Sequence, residues 1–223
     1  MRLLYIYELV VCTQNSIIMN KFIFKIACIF TFFLQLSSYA QQNNKVYVGD
    51  IDSLVSKKLN ETRHFFVHLP SNYYNTWFQP AKYPVIYVLD GGDHFTYLSG
   101  IVDYLSMSGK IPPMIIVGIR NTNRTRDLTP TNSTKLWNGV EKDWFKSSGG
   151  NDAFLSYIKD ELIPLIDSKY RTNGYKVFIG HSFGGITTIN ALIKMPNVFN
   201  SYISVDPSMW WDDKFSKKIS PKN

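Results

Sequence analysis

The sequence predicts an α/β fold: a mostly parallel central sheet, helices on both faces, and an antiparallel hairpin at the start. Two observations carry this. Short, continuous apolar runs rich in β-branched residues recur at Pro84 to Leu89, Met114 to Ile119, Val177 to Ile179 and Tyr202 to Val205. Such runs are expected of strands buried on both faces. Amphipathic helical patterns separate them, and strands that alternate with helices imply parallel pairing through crossovers.

The elements follow in order. Ile51 to Lys57 and Thr62 to Leu69 read as strands around Asn60-Glu61, forming an antiparallel edge hairpin. His64 and His68 share a face of the second strand and read as surface residues. After a loop, the run Pro84 to Leu89 ends in Asp90-Gly91-Gly92-Asp93. His94 to Met107 is helical, with Phe95, Leu98, Ile101, Val102 and Leu105 on one face. Pro112-Pro113 precedes the second buried strand, Met114 to Ile119. Residues 121–150 are polar and without clear periodicity, and a loop that long within a compact domain is usually functional. Asn151 and Asp152 offer an N-cap to an amphipathic helix reaching Ile166, with a kink or break expected at Pro164. Val177 to Ile179, the helix Ile186 to Lys194 and the strand Tyr202 to Val205 complete the pattern, with Asp206-Pro207 after the last strand.

Composition bounds the function. The 223 residues make room for one sizeable domain. Net charge is +7, but no basic cluster exceeds a few residues, so a solvated surface is expected rather than nucleic-acid binding. Met19, Asn20, Lys21 and Lys25 form a basic start to the apolar run Ile26 to Leu36. Ser38-Tyr39-Ala40 then suits signal-peptidase cleavage after Ala40. Residues 1–40 therefore read as an N-terminal extension and signal peptide with its start at Met19, and residues 41–223 as the folded domain. The apolar run is too short for a comfortable membrane span, so the mature protein is expected to be periplasmic or secreted, with no stable membrane insertion. Both cysteines, Cys12 and Cys28, precede the cut, which leaves no disulfide or thiol chemistry. Metal and nucleotide motifs are missing, so no metal and no cofactor are expected.

The stretch Tyr175 to Gly185, YKVFIGHSFGG, carries the chemistry. It places G-x-S-x-G at a strand-to-helix junction, the context of a nucleophile elbow. Gly180 and Gly184 remove side chains that would clash as strand and helix close up, leaving the Ser182 hydroxyl exposed. The helix N-terminus presents N–H groups and a partial positive charge to an oxyanion. The Phe183 N–H is one expected donor. Gly92, in the Gly91-Gly92 turn after an earlier strand, is the other. A base is missing in the usual order: the four histidines are His64, His68, His94 and His181, and none follows Ser182. His181 should point away from the nucleophile. Asp206 follows a strand end and could orient a histidine.

Several segments together carry a resemblance. PVIYVLDGG, the RTRDLTP run from Arg124 to Pro130, ELIPLIDSKYRT, FIGHSFGG and VDPSMWWDD are similar to an esterase branch of the α/β-hydrolases. That branch includes the enterobactin and bacillibactin esterases and the S-formylglutathione hydrolases, and the match leans to the siderophore-esterase side. It runs from about Ile51 to Asp213. The resemblance implies a serine hydrolase of carboxylic esters, acting on a small-molecule ester through an acyl-enzyme, with Ser182 as nucleophile and Phe183 and Gly92 as oxyanion donors. Gly91, Arg120, Arg124, Trp210 and Trp211 are the expected substrate contacts. Family members carry the triad acid and histidine in later strands and helices. This chain is expected to lack those last elements, with residues 217–223 matching nothing in the family, and so to be impaired. Two other readings stay open. One is a non-catalytic protein that binds ligands through Arg120, Arg124 and Arg126 and through Trp137, Trp144, Trp210 and Trp211. The other is an exported carbohydrate-ester (feruloyl or acetyl) esterase.

Overall fold

The computed structural model describes residues 25–26, 46–77, 79–136 and 138–212. It divides into two units, residues 1–47 and 48–223. In the first, Lys25 and Ile26 are helical; the rest of the expected leader, with its cut after Ala40, lies outside the described residues, as do Trp137, Asp213 and residues 217–223. Among the described residues no helix is long and apolar enough to cross a membrane.

The second unit is built on a six-stranded sheet in the order β1-β2-β4-β3-β5-β6. The hairpin β1 (Asp50–Ser56) and β2 (Glu61–His68) is antiparallel, and β2 is also antiparallel to β4 (Ile115–Ile119). From β4 onward the strands are parallel: β3 (Tyr83–Val88) pairs with β4 and with β5 (Thr172–His181), and β5 pairs with β6 (Ser201–Val205). Every residue of β3 and β4 is buried, as their unbroken apolar runs require.

Helices cover both faces. On one, α1 (Gly91–Met107) sets Phe95 and Val102 against Ile86, Val88 and Ile116. The other face carries α2 (Arg124–Leu128), α3 (Asn151–Tyr157), α4 (Ile163–Lys169) and α5 (Phe183–Lys194). There Phe154, Leu162, Ile166 and Ile186 pack on Phe65, Val67, Tyr87 and Ile115.

Some expectations need correction. The hairpin's second strand is not an edge strand, because β4 pairs with its other side. His68 is consequently buried: its Nδ1 meets Val48 O at 2.5 Å and its Nε2 meets Asp103 Oδ1 on α1 at 3.0 Å. His64 on the same strand is exposed. The strand Tyr202 to Val205 is half-exposed rather than buried, since β5 alone flanks it among the described strands. The helix from Asn151 neither breaks nor stops at Pro164. It passes from α3 through a π-helical turn, Ile158–Leu162, into α4. The Ile163 N–H there reaches back to Ile158 O, and the wider turn makes room for the proline ring and its missing donor. Asn151 is not the cap. It is the first helical residue, buried, and its side-chain amide donates to Asp127 O and Thr187 Oγ1. Residues 121–150 are not wholly irregular either, for they contain α2 and a 3₁₀ turn at Asp143–Phe145.

A buried ion network ties that long segment to the sheet. Arg63 on β2 is fully buried, with Nη1 donating to Asp127 Oδ2 at 2.8 Å and Nη2 to Arg120 O at 2.7 Å. Its guanidinium lies 5.2 Å from the ring centre of Phe154 and 5.4 Å from that of Tyr157. Arg126 bridges Asp127 and Glu61. Breaking a buried pair leaves one charge uncompensated. Asp127→Asn or Arg63→Met is expected to lose about 3–5 kcal/mol of stability in urea unfolding. The hydrogen bond from Arg126 chiefly holds the Glu61 carboxyl below its ordinary value; burial opposes it, and the weaker hydrogen bond from Arg63 adds to the lowering. A lowered folded pKa gives stability that is complete above the unfolded value and lost as pH falls through the folded one. Glu61→Gln should therefore flatten the fall in stability below about pH 4, measured as unfolding free energy against pH.

Candidate active site

The site forms where the carboxyl ends of β3, β5 and β6 meet. The chain runs from β3 to β4 on one side and later places β5 on the other, which opens a crevice beyond the end of β3. Ser182 stands between β5 and α5 with φ 58° and ψ −114°, a conformation a serine adopts only when its surroundings force it. Three contacts impose it. The Ser182 N–H donates to Val205 O on β6, its carbonyl accepts from the Ile186 N–H, and the same carbonyl accepts from the Ser208 N–H at 3.1 Å. The neighbouring glycines have separate reasons. A Cβ on Gly180 would stand 2.2 Å from Gly184 O, and one on Gly185 would stand 2.8 Å from Pro207 Cα.

The Ser182 Oγ lies 3.0 Å from the Oγ of Ser208, which is buried. Among the described hydrogen bonds no histidine reaches it. The His181 ring lies edge-on to His94, with centroids 5.7 Å apart, and His94 Nδ1 is 3.1 Å from the Tyr97 hydroxyl. His68 is held by Asp103, and Asp206 is exposed at φ 40°. Among the described residues no group of three or more His, Cys, Asp or Glu could hold a metal ion.

The expected oxyanion donors are both at helix starts. Phe183 is the first residue of α5, and Gly91 and Gly92 open α1, so none of their N–H groups has an intrahelical acceptor. The two glycines differ. Gly91 is packed against β4, where a Cβ would stand 2.4 Å from Gly118 C; Gly92 is exposed with open space around it. Asp90 precedes them at φ 51° and caps α1 from the left-handed region. Its carboxylate accepts from Arg124 Nε at 2.8 Å, from Arg124 Nη2 at 2.9 Å and from Asn121 Nδ2 at 2.5 Å.

The remaining expected contacts separate. Arg124 also lies over the Phe183 ring, 5.2 Å from its centre. Arg120 instead covers Phe66 on β2, with β4 and β3 between that strand and β5. Trp211 is wholly buried, edge-on to Phe145 and Phe183, with Nε1 donating to Thr131 O. Trp210 is partly exposed and tilted against Phe183 at 5.6 Å. Trp144 is exposed on the 3₁₀ turn beside Phe145. Two residues at the centre escaped sequence reasoning. Asp90 stands next to the glycine turn and was legible as a charge beside it. Ser208 lies 26 positions from Ser182, and no spacing rule connects them. The two described clefts lie elsewhere. One, of about 740 Å³, is lined by Tyr73, Tyr74, Trp77 and Arg171 near the start of β3 and β5, and a smaller one adjoins it.

Comparison with known proteins gives this arrangement a family. Residues 56–222 match a family model described as "Putative esterase". The chain belongs to this esterase family. The match reaches residue 222, past Asp213, where the resemblance was expected to stop. The chain is 32% identical over 184 residues to the ferri-bacillibactin esterase BesA of Bacillus subtilis, covering 76% of this chain and 61% of that protein. Among solved structures, an IroE-like serine hydrolase from Shewanella oneidensis superposes with a TM-score of 0.72 at 39% identity, covering 76% of this chain and 54% of that one. The BES protein from Bacillus cereus gives 0.66 at 27% identity, covering 80% and 68%. These likenesses make the sheet an α/β-hydrolase sheet, and BesA is named as an esterase of ferri-bacillibactin. The chain spans about three fifths of BesA's length.

The elbow packing sets a contrast. Gly180→Ala puts a methyl group into backbone that cannot move aside, and should lower stability by about 3 kcal/mol or more, the upper end for overpacking. Gly92→Ala meets nothing within 4 Å and should stay within about 0.5 kcal/mol of the native chain. Urea unfolding of both variants checks this.

Proposed function

We propose that this esterase-family chain carries the nucleophilic half of a serine ester hydrolase that acts on siderophore-type or other small carboxylic esters. The observation behind this is the Ser182 backbone at φ 58° on the turn from β5 into α5. That turn exposes the hydroxyl at the head of a helix whose first N–H groups are free to bind an oxyanion. In the reaction Ser182 Oγ attacks the ester carbonyl while its proton passes to solvent water, and water supplies a proton to the departing alcohol oxygen. The carbonyl oxygen gathers negative charge and is held by the N–H groups of Phe183 and Gly92. Collapse of the tetrahedral species expels the alcohol and leaves an acyl group on Ser182, which water then removes. Trp210 offers an exposed ring beside Phe183 for an aromatic portion of the substrate.

A serine of ordinary acidity needs a base. Among the described hydrogen bonds the Ser182 hydroxyl meets the Ser208 hydroxyl and no histidine, while His94 and His181 face each other and His68 is engaged by Asp103. We therefore infer that the 223-residue chain by itself turns over slowly. The same observation favours a second reading, in which the crevice binds an ester without cleaving it. The siderophore relatives are the reason for placing the substrate class there; export to the periplasm or beyond follows from the leader pattern before Gln41 and belongs to the same proposal.

Hydrolysis of p-nitrophenyl butyrate by the full chain, set against Ser182→Ala, decides between these. The expected result is a low rate, reduced roughly 10⁴-fold or more from a complete triad enzyme, that falls to background in Ser182→Ala. Rapid turnover dependent on Ser182 would refute the missing-base argument. Turnover unaffected by Ser182→Ala would refute the nucleophile.

A further inference from the structure

We propose that Arg124 is a positioning residue that locks the two halves of the oxyanion site together and neutralises the carboxylate between them, rather than a substrate ligand. This rests on the reading of Ser182 as nucleophile with Phe183 and Gly92 as donors. Both geometry and charge support it.

Two of the three guanidinium nitrogens of Arg124 are committed to one carboxylate: Nε to Asp90 Oδ1 and Nη2 to Asp90 Oδ2, at 2.8 and 2.9 Å. This is the planar fork that matches a carboxylate bidentately and fixes direction as well as distance. Asp90 is the residue from which α1 starts. Its carbonyl accepts the Asp93 and His94 N–H groups, and the peptides of Gly91 and Gly92 follow directly. Fixing Asp90 therefore fixes the aim of the Gly92 N–H.

The same guanidinium lies over the ring of Phe183, whose N–H is the other donor. One side chain thus touches the residue ahead of the Gly91-Gly92 turn and the residue after the nucleophile. Arg124 is itself anchored. It is the first residue of α2, Asn123 Oδ1 accepts the Arg126 N–H there, and Asp127 ties α2 to the buried Arg63.

Charge supplies the second half of the argument. The Asp90 side chain is 3% exposed. It faces the elbow, since a Cβ built on Gly184 would stand 3.6 Å from Asp90 Oδ2. A bare carboxylate at that place would repel the negative charge that develops on the ester oxygen, with little water to screen it. Asn121 donates one neutral hydrogen bond to it, and Arg124 supplies the positive charge. Removing Arg124 alone would both loosen the turn and leave an uncompensated charge. Removing Asp90 as well would take the repulsion away.

The test measures preorganisation directly, without requiring turnover. Hydrogen exchange of the full chain is followed by mass spectrometry in segments 89–95 and 182–187, for Arg124→Met, Asp90→Asn, the double variant and Arg124→Lys. Arg124→Met is expected to speed exchange roughly 10-fold in both segments together, with β1 and β2 unchanged. The double variant removes the bare charge but does not restore the fork, so it should recover only part of the lost protection, and Arg124→Lys, which keeps charge but loses the fork, should also fall between Arg124→Met and the native chain. In hydrolysis of the uncharged p-nitrophenyl butyrate, Arg124→Met should lower kcat roughly 100-fold with KM within about 3-fold, and the double variant should recover about 10-fold of that. Native exchange in Arg124→Met overturns the proposal, as does a double variant no better than the single one. If Arg124→Met does not fold, Arg124→Lys and Asp90→Asn decide by the same exchange readout. Ser182→Ala is run alongside: hydrolysis that ignores it, or no hydrolysis at all, counts against the nucleophile, while exchange still decides the role of Arg124.

Discussion

The sharp turn at Ser182 is the constraint on which the site depends. A serine at φ 58° and ψ −114° stores on the order of 1–3 kcal/mol of backbone strain, and it persists because neighbouring structure over-determines it. The strand β6 accepts its N–H, Ser208 and Ile186 both donate to its carbonyl, and the backbones of Gly180 and Gly184 are too close to admit a side chain. The strain is therefore a property of the sheet's packing and not of the serine alone. A local sequence such as GHSFGG permits the turn, and β6 together with the segment at Ser208 enforces it.

Around this turn the structure uses charge for alignment. Arg63, buried against Phe154 and Tyr157, holds Asp127 and so sets α2 upon the sheet. From α2 the Arg124 fork reaches Asp90 at the head of α1. A path of ion pairs thus runs from the hairpin strand β2 to the glycine turn beside Ser182. The Arg63–Asp127 pair lies fully out of water and is therefore costly to break singly, which holds the start of the long segment after β4 in one arrangement. The arginines that looked available for an anionic ligand are largely engaged with carboxylates of the same chain.

The fold was legible in detail where one physical rule dominated. The runs PVIYVL and MIIVGI can only be satisfied inside a sheet, and every residue of β3 and β4 is indeed buried. The hairpin was readable from its short break at Asn60-Glu61, with φ 52° at Asn60. Reading failed where the answer lay in neighbours far along the chain. Nothing within β2 says that β4 will flank it, so His68 looked like a surface residue; pairing with β4 and the approach of Asp103 on α1 buried it. Pro164 was expected to kink or break its helix; it does not break it, because one π turn ahead of it lets the helix continue. Trp211 could not be told from Trp210 by type or position. The first packs edge-on against both Phe145 and Phe183, while its neighbour stays partly in solvent.

The sequence by itself determined the layering of the domain, the position of the elbow and the residue types that could act there. Those follow from periodicity and from the backbone freedom of glycine, which are local. Only the tertiary structure decided which groups meet. It placed Ser208 on the hydroxyl of Ser182, Arg124 on Asp90 rather than in open solvent, and Arg120 over Phe66 on a distant strand. Each of those outcomes depends on the order of strands in the sheet. That order is fixed by which apolar surfaces bury best together, a sum over the whole chain that no short segment contains.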